Sequence, residues 1–169
     1  MIEIAKAAAI LGTLKGLSLR KRGISNLDVL NEAYAYQKPS SFSRGLRIDL
    51  GEVTILLISG TASIDEHGNS VHAGDFRAQA KRTFSNITGL LAAEGATWHD
   101  VVRTTCYLRD MDRDYEAFNE ERTEFYGELG LDPLPASTGI EAKLCRPELL
   151  VEIEAIAMYL PKAAPPSGA

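Results

Sequence analysis

The sequence predicts an α+β domain in which one β-sheet carries helices on one face only. Three observations predict it. Hydrophobic periodicity runs in the order β-β-α-β-α-β-β from about residue 42 to residue 160. Two stretches carry a strong helical pattern, too few to cover both faces of a sheet. The last strand is apolar on both sides, so the face without helices is expected to be buried by other copies of the chain.

The elements follow in order. Residues 1–38 read as an N-terminal extension. Ile4, Ala8 and Leu11 have helical spacing, interrupted by Gly12, Gly16 and Gly23, and Leu27, Leu30 and Ala33 follow the candidate caps Ser25 and Asn26. One or two short helices are expected there. Lys38-Pro39-Ser40-Ser41 is a breaker that opens the main domain, residues 39–160. Phe42 to Ile48 and Val53 to Ser59 read as a hairpin, turned by Asp49-Leu50-Gly51-Glu52. Asp65-Glu66-His67-Gly68-Asn69 is turn chemistry. Asp75 is placed to cap a helix whose buried face is Phe76, Ala80, Phe84, Ile87 and Leu91, with Gly95 at its end. Val101 to Leu108 is a strand. Asp110 and Asp112 begin a second helix with Tyr115, Phe118, the stem of Arg122, Phe125 and Leu129 on one face and Gly130 as its stop. Pro133 and Pro135 make a rigid link to a strand from Thr138 to Leu144. Arg146-Pro147 breaks that strand, and Leu149 to Leu160 is the last one. Residues 161–169, with three prolines and small residues, read as a disordered tail.

Composition narrows the function. The chain has 169 residues, 45% of them hydrophobic and 24% charged, enough for a core without metals or disulfides. A net charge of −5 repels phosphate backbones, so no nucleic-acid partner is expected. The short basic run Arg20-Lys21-Arg22 reads as solvated surface. Cys106 and Cys145 sit in apolar, strand-like stretches and read as buried thiols of a reducing compartment. No secretory pattern or membrane span is evident, and a cytoplasmic location is expected. His67, His72 and His99 lack metal-ligand spacing, and neither a metal nor another cofactor is expected.

Chemistry concentrates on two stretches. Glu152 and Glu154 share a face of an otherwise apolar strand by the period of two. Either they form ion pairs at a rim, or one occupies a pocket with a raised pKa and moves a proton. Ser59-Gly60-Thr61 closes an apolar strand. It is either a plain strand exit or a place where backbone and hydroxyls approach a ligand.

Ile58-Ser59-Gly60-Thr61, Gly74-Asp75 with Gln79 and Asn86, Leu90 to Gly95, and Asp100 to Thr105 occur in one order along the chain. They are followed by Tyr107 to Met111, Phe118-Asn119-Glu120 and Val151 to Ala157. Taken together these pieces, spanning about Phe42 to Tyr159, resemble the YjgF/Rid superfamily, also known by the endoribonuclease L-PSP name. The resemblance implies a chorismate-mutase-like fold with a six-stranded mixed sheet, two helices on one face, and a homotrimer whose sheets form a central barrel. It implies clefts between subunits that bind a small carboxylated metabolite. In the deaminase branch, water adds to an enamine or imine and ammonia leaves.

By the same resemblance Glu152 is the water-handling glutamate. Ser59 and Gly60 match the strand-end pair, and Phe42 stands where a tyrosine is usual. Asn119 falls in a matching piece, Ser137 replaces the arginine that grips the substrate carboxylate, and Gly139 replaces a cysteine. Serine cannot reproduce a two-pronged guanidinium. Ser59 to Ile64 and Cys145 to Glu154 are further similar to the C-terminal half of chorismatases, which implies Arg146 as a carboxylate ligand and Glu152 or Glu154 as an acid. Arg44, Lys143 and Arg146 are the candidate replacement cations. The expected function is hydrolysis of an enamine, imine or enol ether, with Glu152 catalytic and Phe42, Ser59, Gly60, Thr61, Asn119, Ser137, Gly139, Arg146 and Glu154 binding. A non-catalytic metabolite-binding trimer is the alternative, and ribonuclease or translation-inhibitor activity ranks third.

Overall fold

The computed structural model describes residues 19–36 and 38–160. Six strands form one sheet in the order β1-β2-β3-β6-β4-β5. They are β1 (Leu19–Gly23), β2 (Gly45–Leu50), β3 (Val53–Ala62), β4 (Val101–Leu108), β5 (Ala136–Glu141) and β6 (Val151–Tyr159). The helices are α1 (Phe76–Ala93) and α2 (Met111–Glu128). Every neighbouring pair is antiparallel except β4 and β5, which run parallel because α2 carries the chain back between them. This is the mixed α+β sheet that the sequence predicts.

The predicted caps form. Asp75 accepts a hydrogen bond from the Ala78 amide at 3.0 Å, and Asp110 does the same for Arg113 at 3.0 Å. Gly95 and Gly130 follow the two helices with φ of 74° and 63°, the left-handed backbone that glycine adopts cheaply. Phe84 on α1 stacks on Phe125 of α2 with ring centroids 4.7 Å apart, and Trp98 meets both rings edge-on. Val151, Ile153, Ala155 and Ala157 of β6 lie buried beneath α1.

Several expectations shift. The first main-domain strand starts at Gly45, not Phe42, and β5 covers Ala136–Glu141 rather than running to Leu144. Cys145 therefore lies in an irregular loop and is exposed, while Cys106 is buried as expected. Tyr115 and Leu129 of α2 are 50% and 38% exposed, because the sheet beneath ends at β5 and leaves that side of the helix uncovered. Where short helices were expected in 19–36, the chain forms β1, a turn from Asn26 to Leu30 and a three-residue 3₁₀ turn at Ala33–Ala35. The sheet's sixth strand thus comes from the stretch read as an extension. Its basic run is partly structural, since Arg22 pairs with the buried Glu94 at 2.6 Å. The helical spacing of residues 4–11 and the tail 161–169 lie outside the described residues.

The face away from the helices stays open. Register places Leu46 opposite Leu57, Ile48 opposite Ile55, Leu57 opposite Ile156 and Ile55 opposite Met158. Leu57 and Met158 are 37% and 45% exposed in this apolar band. All six residues of β5 are exposed, although the strand ends the sheet.

Candidate active site

The cleft begins with an irregularity between β3 and β6. Ile58 pairs with Ala155 and Thr61 with Ile153, so β3 holds one extra residue at Ser59-Gly60. Such a bulge bends the strand and re-aims its end. Glu152 packs against the bend. A Cβ at Gly60 would overlap Glu152 Oε1 and lie 3.0 Å from its Cδ, so only glycine leaves the carboxyl where it is. Ser59 locks the bend from the other side, its Oγ donating to Ser43 O at 2.7 Å.

Around this floor opens a cleft of about 610 Å³, with Tyr36, Phe42, Arg44 and Arg146 in its walls. The loop carrying Cys145, Arg146 and Glu148 is tied down at three points. Arg109 donates to Leu149 O at 2.5 Å and to Arg146 O at 2.6 Å, and Gln79 Nε2 donates to Glu148 O at 2.9 Å. Asn86, buried on α1, donates to Ala62 O and Ile64 O and so fixes the exit of β3. The cleft is therefore framed by backbone held in place by buried polar side chains, not by free loops.

Burial pushes the Glu152 carboxyl above its ordinary pKa, and the neighbouring Glu154 carboxylate adds to the effect. Glu154 lies opposite Thr105, and Glu152 lies opposite Tyr107. Burial, then the Glu154 carboxylate, likewise push the Tyr107 phenol up. Two arginines line the same cleft, and their hydrogen bonds go mainly to neutral oxygens. Arg44 is 4% exposed and spends its donors on Asn31 O at 2.7 Å and on the Tyr36 hydroxyl at 2.5 Å. Arg146 donates to Gly68 O at 2.8 Å and Ser70 Oγ at 3.2 Å. Neither forms an ion pair among the described residues, and both guanidiniums lie about 5 Å from the Tyr36 ring centroid, at 5.1 and 5.0 Å. A carboxyl with raised pKa in a cleft that Arg146 also lines can exchange a proton with an anionic molecule held there.

The structure brings Phe42, Gly60, Thr61, Arg146 and Glu152 into this one cleft, with Ser59 behind its floor. Glu154 lies on the same sheet face, one pair further along β6. Ser137, Gly139 and Asn119 lie elsewhere. Ser137 Oγ accepts from Thr104 Oγ1 at 3.0 Å and from Arg122 at 3.1 Å, on the side of the sheet where α2 lies. Gly139 faces Met111 and Tyr115, and Asn119 Oδ1 accepts from Arg122 at 2.5 Å. Lys143 is exposed and does not line the cleft. Tyr36, Gln79 and Arg109 carry structural duties at the site that periodicity does not reveal. Tyr36 belongs to no periodic element, and Gln79 and Arg109 fall in pieces that carry the family resemblance but whose period gives them no role.

The family model described as Endoribonuclease L-PSP matches residues 37–159. A RutC family protein of Pyrococcus abyssi is 34% identical over 102 residues, 60% of this chain and 76% of that protein. The 3-aminoacrylate deaminase RutC of Acinetobacter baylyi is 32% identical over 103 residues, 61% of this chain and 78% of that protein. Among solved structures, the YjgF gene product of E. coli superposes with a TM-score of 0.64 at 26% identity, covering 80% of this chain and 97% of that one. E. coli TdcF with bound serine gives a TM-score of 0.66 at 20% identity, covering 82% and 98%.

Proposed function

This chain belongs to the Endoribonuclease L-PSP family, and we propose that it hydrolyses a small carboxylated enamine or imine in a cleft completed by a neighbouring subunit. The observation that carries the reading is Glu152. It is a partly buried carboxyl with a raised pKa, seated against Gly60 in a cleft that Arg146 also lines. The similarity to a 3-aminoacrylate deaminase supports an enamine carboxylate as the substrate class.

The steps balance without a cofactor. An enamine takes a proton from solvent on carbon and becomes an iminium. Glu152 accepts a proton as water adds to the iminium carbon and returns it to nitrogen; ammonia then leaves, the carbinol oxygen gives its proton back to solvent, and a carbonyl remains. A raised pKa keeps Glu152 near the point where both transfers are cheap. Arg146 holds the substrate carboxylate and disfavours uncharged competitors.

The open apolar face and the exposed β5 support a homotrimer. Closure by sister chains covers Leu57, Met158 and Ile156, and the cleft around Glu152 then meets the Ser137–Asn119 side of a neighbour. Glu152→Gln tests the reading. Ammonia release from freshly generated 2-aminoacrylate or 3-aminoacrylate is expected to fall at least 100-fold, about the size of a lost general acid–base group, with the oligomer unchanged. Full turnover by Glu152→Gln refutes it.

A second reading shares this cleft. Arg146 and Glu152 together also suit protonation of an enol ether, with an enolpyruvyl substrate as the probe. Release of pyruvate without ammonia favours that chemistry. Tight binding with no product from either substrate favours a non-catalytic role.

A further inference from the structure

We propose that Arg122 on α2 provides a second carboxylate-binding guanidinium, working from the pocket beside Ser137. This deepens the proposed function by naming the group that grips the substrate's carboxylate on the neighbour's side of the cleft. It rests on that reading for the enzyme's substrate, but not for the binding itself.

The side chain is held as a binding group is held. Its Nη1 donates to Ser137 Oγ at 3.1 Å and its Nη2 to Asn119 Oδ1 at 2.5 Å. Its guanidinium carbon stands 5.0 Å from the centroid of the Phe118 ring, and Phe118 is buried. These partners fix the plane of the fork while leaving its charge unanswered, since Arg122 forms no ion pair among the described residues. The other arginine of α2, the exposed Arg113, pairs with Asp114 at 2.5 Å. Arg77 of α1, which faces α2, pairs with Glu121 at 2.8 Å. Arg122 stands apart from both.

The surroundings favour a small anion with an apolar body. Arg122 lines a pocket of about 380 Å³ whose other walls include Tyr126, Leu131, Leu134, Pro135 and Ser137. Leu134 is 64% exposed at its mouth. A guanidinium at an apolar rim binds carboxylates in two-pronged fashion more strongly than it does in open water. Ser137 is part of this arrangement. An arginine at position 137 would compete with Arg122 for the same space and charge, and the small hydroxyl instead accepts the Arg122 hydrogen bond. The guanidinium that strand β5 lacks is thus presented from the adjacent helix.

Pyruvate, the smallest keto-acid product of the proposed hydrolysis, is the probe. Titration of the full chain is followed by the NMR shift of the Arg122 Nε–H and by calorimetry. The expected result is binding that moves the Arg122 signal. Arg122→Gln is expected to weaken it about 10- to 100-fold, the value of a hydrogen-bonded charged group. The double variant Arg122→Gln with Ser137→Arg is expected to recover most of the loss, because it returns a guanidinium from the strand. Pyruvamide, which lacks the charge, tests the wild-type chain without any substitution and is expected to bind at least tenfold more weakly than pyruvate. Equal binding of pyruvate and pyruvamide, or an unmoved Arg122 signal, overturns the proposal. So does an Arg122→Gln chain that binds as wild type. Glu152→Gln separates the two readings. If it still turns over substrate, the hydrolase mechanism fails while the Arg122 titration stands on its own.

Discussion

Replacing Gly60 by alanine probes the construction of the site most sharply. The added Cβ would overlap Glu152 Oε1, with Cδ at 3.0 Å and Cγ at 3.4 Å, so the whole end of the glutamate side chain must move. The bulge gives little room for the backbone to yield, because the Ser59 amide donates to Arg44 O at 3.0 Å and Ser59 Oγ holds Ser43 O. Because the atoms met are the end of a flexible side chain, the carboxyl can swing aside at a cost of at most about 1 kcal/mol. For a chain of this length that lowers the melting temperature by about 2–4 °C per kcal/mol. The effect on turnover is expected to exceed the effect on stability, because a carboxyl displaced by about 1 Å loses roughly 100-fold in rate. Calorimetry and ammonia release measured on the same preparation separate the two. A Gly60→Ala chain with wild-type melting and wild-type turnover shows that Glu152 does not sit on Gly60, and the site geometry collapses with it.

Other outcomes follow from the same structure. The Glu152 pKa is raised in the folded state, so its protonated form is the favoured one there. The stability it contributes is complete below the unfolded carboxylate value near 4.3 and is lost as pH rises through the higher folded value. Glu152→Gln should therefore be more stable than wild type at neutral pH, with the difference vanishing near pH 4 in denaturant titrations; no difference at neutral pH contradicts the raised pKa. Leu57→Lys places a charge in the open apolar band and is expected to shift the assembly toward monomer in sedimentation; an unchanged mass removes that face from the interface. Arg44→Met leaves Asn31 O and the Tyr36 hydroxyl without their donor and is expected to cost about 1–3 kcal/mol in chemical denaturation; a neutral substitution shows those bonds to be dispensable.

The fold was largely legible because its signals are local. Asp75, Asp110, Gly95 and Gly130 mark the helix ends, and the alternation in Val151 to Tyr159 assigns both sheet faces. Strand β1 was not legible. Leu19–Gly23 is exposed throughout and carries three adjacent basic residues, so it has no hydrophobic period to read, and its place is set by pairing with β2 alone. Cys145 was misplaced for a related reason, since an apolar neighbour such as Leu144 looks the same in a strand and in a loop packed under the sheet. At the site, Glu152 could be picked out as a carboxylate on a greasy strand. Its contact with Gly60 depends on a bulge, which no pattern announces. Arg122 was read only as a stem on the apolar face of α2, and its head group became informative once Ser137 and Asn119 appeared beside it.

The claim on which the account rests is that one subunit supplies Glu152 and its neighbour supplies the Ser137–Arg122 side of each site. Mixing Glu152→Gln with Arg122→Gln chains, each slow alone at substrate levels well below saturation, and reassembling them at equal amounts tests it directly. Random head-to-tail assembly then pairs an intact Glu152 with an intact Arg122 in about one quarter of the sites. Recovery of roughly that share of wild-type ammonia release is the predicted result. Mixed assemblies no more active than their parents would contradict it.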